Sequence, residues 1–180
     1  MGNATVECCK DEKVEKVKSS PSQYSKVLSS EFNAIVIEHH LKWAPLCHTL
    51  PGPINERTPS TRIGRYDFGH VDDMVDWAIA HNMKIKGHVL VWAETTPPFL
   101  SDMSEEEVWL ALRTHIYTTV SHFRGRIKLW DVVNESLAPD GSLANNIFLQ
   151  KLGPKVCAFF SLILSLTFLL RKRNFLTFIF

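Results

Sequence analysis

Ile127-Lys128-Leu129-Trp130-Asp131-Val132-Val133-Asn134-Glu135 is the stretch whose reading decides the fold. The turn-like Arg124-Gly125-Arg126 precedes it, and its aromatic and β-branched residues predict a short β-strand. Its C-terminal end carries an amide and a carboxylic acid side by side, Asn134 and Glu135. Parallel α/β folds keep their chemistry at such strand ends, where the following loop opens toward a ligand. Alternation alone would send these two side chains to opposite faces, so their joint use requires a twist or a bulge. Taken alone, the stretch reads equally as a buried strand ending in two solvated polar residues. The upstream residues decide between the readings.

Working back, Ser104 with Glu107 forms a capping-box signature. The helix it opens carries Trp109, Leu112, Ile116, Val120 and Phe123 at near-helical spacing, and Gly125 closes it. Before the Pro97-Pro98 break, residues 83–92 have strand character, with Ile85, Val89, Leu90 and Val91 around Gly87-His88. Residues 68–82 form the clearest helix: Val71, Met74, Val75, Ala78 and Ile79 make one stripe, while Asp72, Asp73 and Asp76 lie elsewhere. Residues 47–65 are rich in proline and glycine and read as a loop. Phe32-Asn33-Ala34-Ile35-Val36-Ile37-Glu38 is apolar and β-branched, as expected for a strand buried on both faces. One or two helical turns fit residues 24–30. Strand, helix, strand, helix, strand at this spacing predicts an α/β fold with a parallel sheet and right-handed crossovers.

Each strand ends in polar or aromatic groups: Glu38 with Lys42-Trp43, His88 with Trp92, and Asn134-Glu135. Singly, each has a plain structural explanation. Glu38 and Lys42 fit a surface ion pair of little energetic weight. His88 fits a satisfied core histidine, and Trp43 and Trp92 fit packing. Together they put two carboxyls, an ammonium, an imidazole, an amide and two indoles at one end of one sheet. That set suits a polyhydroxylated ligand, with indole faces for sugar rings and polar groups for hydroxyls. No phosphate-binding glycine loop and no metal-ligand spacing occurs, which disfavours nucleotide and metal chemistry. With 20 Lys plus Arg against 19 Asp plus Glu the net charge is +1, so nothing suggests a nucleic-acid partner.

At this point the motifs carry a family resemblance. The run from Phe32-Asn33 to Glu38-His39-His40-Leu41-Lys42-Trp43, then Gly87-His88-Val89-Leu90-Val91-Trp92, then Trp130-Asp131-Val132-Val133-Asn134-Glu135, resembles the strand-end motifs of glycoside hydrolase family 10. That is the endo-1,4-β-xylanase family, built on a (β/α)8 barrel. The resemblance runs from about residue 24 to residue 155 and implies a partial barrel, about three of eight strand-helix units. It implies that Glu135 is the general acid/base and that Asn134 hydrogen-bonds the sugar beside it. It also implies that Glu38, Lys42, His88 and Trp92 line the glycone side of the cleft, and Trp43 is a further substrate-binding candidate. Xylan or xylo-oligosaccharide is the implied partner, with no cofactor. His39 stands where the family usually has Asn, and Ala93 and Thr95 stand where His and Gln are common. Neither a first barrel strand before Phe32 nor a second half after Lys155 is recognisable. Retaining glycosidases need two carboxyls about 5–5.5 Å apart, and Glu135 supplies only the acid/base. Glu94 and Asp102 follow a different strand. The fragment is therefore expected to be inactive.

The flanks read differently from the middle. Residues 1–24 look like a charged, Ser-rich tail, and the first 18 lack the apolar core of a secretory signal. Cys8, Cys9, Cys47 and Cys157 have neither zinc-site nor disulfide-framework spacing. Residues 25–155 form the partial barrel, and residues 156–180 form an apolar tail ahead of and beyond Arg171-Lys172-Arg173. As a membrane segment, residues 156–170 would span about 22 Å, short of the ~30 Å hydrocarbon core. Translated non-coding sequence is the favoured alternative, given the Phe, Leu and Ser bias and the abrupt onset at Val156.

Overall fold

In the computed structural model, which describes residues 22–48 and 63–156, the expected alternation of strands and helices is present. In chain order the elements are α1 (Gln23–Glu31), β1 (Ala34–Ile37), α2 (Trp43–Leu46), β2 (Cys47–His48), β3 (Arg65–Tyr66), α3 (Gly69–Ala80), β4 (Lys84–Val91), α4 (Glu105–His122), β5 (Leu129–Val133) and α5 (Ile147–Leu152), with short 3-10 turns between. β1, β4 and β5 form one parallel sheet in the order β1–β4–β5. The crossover helices α3 and α4 lie between consecutive strands of this sheet, as parallel pairing requires. Among the described residues the sheet is open and no barrel closes.

Local chemistry explains the helix starts. Ser22 caps α1 by accepting from the Ser25 amide at 3.1 Å. The expected box at α4 is formed in both directions: the Glu107 amide donates to Ser104 Oγ at 3.3 Å, and the Ser104 amide donates to Glu107 Oε2 at 2.9 Å. α4 ends at the cap Phe123, and Gly125 takes a left-handed φ of +80° in the turn that follows. On α3, Val71, Val75 and Ala78 are buried, but Ile79 is 45% exposed. At about 100° per residue Ile79 lies roughly 80° round from Val71, on the flank of the stripe rather than its centre.

The pleat divides the sheet into two unlike faces. Ile35 pairs with Ile85, Ile37 with Gly87, and Gly87 with Trp130, so these residues share one face and pack into the main core with α3 and α4. The opposite face carries Val36, Lys86, His88 and Asp131. β1 is therefore not buried on both faces, as its apolar run suggested: among the described residues it is an edge strand, and Val36 is 48% exposed. The 47–65 stretch is not wholly loop either. Cys47–His48 pairs antiparallel with Arg65–Tyr66, and residues 49–62 lie outside the described ones.

At the expected boundary, the last described residue is Val156. Val156 is 4% exposed and belongs to the main core, so the packed body includes it. The rest of the apolar tail lies outside the described residues, as do residues 1–21. Among the described residues no helix is long and apolar enough to cross a membrane.

One core residue makes stability depend on acid. His115 on α4 is fully buried, and its Nε2–H donates to the Leu90 carbonyl of β4 at 2.8 Å. Nδ1 then accepts from the Tyr66 hydroxyl at 3.2 Å, and the ring stacks on Trp43 with centroids 4.4 Å apart. Burial pushes its pKa down from 6.5 to about 3, because no water solvates an imidazolium there. The unfolded chain binds a proton that the folded chain refuses. Stability is thus intact above about pH 6.5 and falls below it by up to about 1.4 kcal/mol per pH unit. Urea titrations at pH 7, 5 and 4 should show this fall. His115→Gln should be less stable at pH 7 yet have a shallower acid dependence, and identical slopes would rule His115 out as the source.

Candidate active site

Three strand ends deliver the site. Glu38 follows β1 directly and opens a 3-10 turn (His39–Leu41), after which Lys42 leads into α2. His88 stands within β4, and Trp92 follows its last residue. Asn134 and Glu135 follow β5. The chain departs from strand geometry at this point. Glu135 takes a left-handed φ of +53°, a conformation that costs an ordinary L-residue roughly 1–2 kcal/mol. The Asn134 amide still donates to the Val91 carbonyl at 3.0 Å, so the chain leaves the sheet only after Asn134. A register shift between β4 and β5 lies beside it, between His88 and Val91, and the His88–Val89 peptide bond is cis.

These elements bring Lys42, Trp92 and Glu135 together. The Trp92 indole Nε1–H donates to Glu135 Oε2 at 2.7 Å. Over the indole face, Lys42 Nζ sits 4.4 Å from the ring centroid, a cation–π contact. The His88 ring lies 6.2 Å from the Trp92 ring. The exposed Glu135 carboxyl is thus tethered at one oxygen by a rigid donor, which leaves the other for a ligand. The exposed Glu38 and half-buried Asn134 stand at the same end of the sheet.

Trp43 is not part of this group. It is 1% exposed and lies flat on His115, with Phe148 stacked at 6.5 Å, so neither face is open to a sugar. Its place is the core, the plain packing role that the sequence left open for it. The sequence reading also missed two polar residues. Asp131, only 5% exposed, meets His88 Nδ1 at 2.9 Å through Oδ2 and Lys86 Nζ at 2.9 Å through Oδ1. A signal was there: an Asp in the middle of an apolar strand is costly to bury without partners. Among the described residues no cluster of His, Cys, Asp or Glu could hold a metal ion.

The profile of glycosyl hydrolase family 10 matches residues 3–160. The chain belongs to glycosyl hydrolase family 10. Endo-1,4-beta-xylanase B of Thermotoga neapolitana is 33% identical over 135 residues, which are 74% of this chain and 35% of that protein. Beta-1,4-xylanase of Dictyoglomus thermophilum is 35% identical over 115 residues, 64% of this chain and 29% of that protein. Among solved structures, xylanase 10B from Thermotoga petrophila in complex with xylobiose superposes with a TM-score of 0.66 at 31% identity. That superposition covers 78% of this chain and 39% of the other. This family 10 chain therefore spans about a third of the length of the curated relatives it matches. The profile match begins inside the stretch that composition alone reads as a tail. The fold is a partial (β/α)8 architecture, seen here as three parallel strands with their helices.

Proposed function

We propose that this chain carries the acid/base and glycone-side part of a site that cleaves β-1,4-linked xylan. The observation that carries the reading is the Trp92 indole that donates to Glu135 and lies under the Lys42 ammonium. In the first step the Glu135 carboxyl protonates the leaving glycosidic oxygen as the C–O bond breaks. In the second, its carboxylate takes a proton from the water that attacks the anomeric carbon. Glu38, Lys42, His88 and Asn134 hydrogen-bond hydroxyls of the sugar on the non-reducing side. Trp92 offers apolar surface to that sugar while positioning Glu135. Glu135 fills only the acid/base role in this reading, and Glu38 and Glu94 follow strands other than β5.

Calorimetric titration with xylohexaose tests binding, and reducing-sugar release from xylan tests turnover. The 180-residue chain should bind the oligosaccharide, with affinity lowered about tenfold or more in Trp92→Ala. Its turnover should not exceed that of the Glu135→Gln variant. Absence of binding at millimolar xylohexaose would refute the sugar site. Robust turnover, lost in Glu135→Gln, would refute the missing nucleophile.

A further inference from the structure

The outward side of α4 carries a stripe that the fold leaves unused. Glu106, Leu110, Arg113 and Tyr117 are all exposed, Leu110 at 44% and Tyr117 at 61%. At about 100° per residue they fall within about 60° of arc, so they share one face over roughly three turns. The other side of the helix faces the core, where Val108, Leu112, His115 and Thr119 are buried. Within the stripe, Glu106 Oε2 accepts from the Ser104 hydroxyl at 3.1 Å. Among the described residues Arg113 is in no ion pair. A single exposed leucine needs no explanation. Its setting is less ordinary: a carboxylate one turn before it, a guanidinium one turn after it, and a phenol one turn further on.

We propose that this stripe is an interface with a second copy of the chain, two α4 helices packing antiparallel about a two-fold axis at Leu110. The order of the charges selects that partner. In such a pair the run of acid, leucine and arginine meets arginine, leucine and acid. Leu110 then lies on Leu110 of the second copy and each Glu106 faces an Arg113, so two ion pairs form together. A parallel pairing in the same register would set like charges against each other instead. Each ion pair is flanked by Leu110 on one side and Tyr117 on the other, which thins the water around it and strengthens the attraction. One helix pair is a small contact, below the standard interface area, so the association is weak and reversible. α4 runs back from the end of β4 toward the start of β5, antiparallel to those strands. Two antiparallel α4 helices therefore point the two sets of strand ends in opposite directions, and both candidate sites stay open.

Sedimentation equilibrium of the full 180-residue chain, from roughly 5 to 500 µM, reads the association directly. A monomer–dimer equilibrium with a Kd on the order of 100 µM is expected, weakened by high salt. Glu106→Arg and Arg113→Glu should each weaken self-association about tenfold or more, because each sets like charges across the axis. Mixed in equal amounts, the two variants should pair with each other at least as well as the parent pairs with itself, since both ion pairs return. Leu110→Lys, which puts two ammonium groups at the centre, is an independent disruption. Far-UV circular dichroism of each variant should match the parent, as all three positions are exposed. A parent chain that stays monomeric at about 500 µM overturns the proposal. A mixture of the two charge variants no more associated than its separate components also overturns it. So does self-association that ignores all three substitutions, which would place the contact on another surface.

Discussion

Replacing Glu135 by alanine, in a form of this protein that carries the later barrel strands, should lower xylan hydrolysis by roughly 10²–10⁴-fold, the usual weight of a positioned proton donor. The loss should not be uniform across substrates. Sugar leaving groups depart as poor alkoxides and need a proton in the transition state. Aryl glycosides with acidic phenols leave without one, so their glycosylation step should be spared. Rates for a series of aryl xylosides ordered by leaving-group pKa would show this as a steep dependence in the variant and a shallow one in the parent. Equal losses across the series would remove Glu135 from the acid/base role. Trp92 has a different signature: its indole tethers the carboxyl at 2.7 Å, so its loss disturbs aim and sugar contact together.

The second large effect is on stability and comes from Gly87→Ala. A Cβ at this position would lie 2.5 Å from two ring carbons of Trp130 and 3.0 Å from Leu41. Trp130 is 2% exposed and Leu41 wholly buried, so neither can swing into solvent. Overpacking of this kind costs about 3 kcal/mol, the upper end of its usual range. For a chain of this size that is roughly 6–12 °C in melting temperature. Thermal unfolding followed by circular dichroism checks it. Gly125→Ala is the useful contrast: nothing lies within 4 Å, and only its φ of +80° opposes a side chain, at about 1 kcal/mol. Trp130→Leu should partly rescue Gly87→Ala, because the two sites meet and their effects are not additive. Equal losses for the two glycine variants would mean that Trp130 gives way more easily than its burial implies.

Much of this was legible beforehand because it is written in local chemistry. The capping box of Ser104 and Glu107 needs only two residues three apart, and the β-branched runs at 34–37 and 129–133 need only their own composition. The group Lys42, Trp92 and Glu135 was legible because each follows a strand, and parallel strands bring their ends together. Other features depend on distant partners. Trp43 after a strand reads alike as a sugar platform or a core residue, and only the stacking of His115 decides. Asp131 lay in plain view, but its partners Lys86 and His88 are on another strand, and their pairing is set by a register that composition does not encode. Two-residue strands such as Cys47–His48 are too short to carry a period. The left-handed Glu135 is hidden for a further reason: glycine or asparagine would have advertised that conformation, whereas glutamate does not.

The order β1–β4–β5 also sets how the site breathes. β4 has a hydrogen-bonded neighbour on each side, so its amides open only with most of the sheet. Among the described residues β1 and β5 have one such neighbour each and open at lower free energy. His88 is therefore mounted on the slowest-exchanging element and Trp92 directly after it, while Glu38 and Lys42 follow one margin of the described sheet and Asn134 and Glu135 the other. Lys42 reaches back over Trp92 from its margin, so the contact that gathers the site also crosses the boundary between its slow and fast parts.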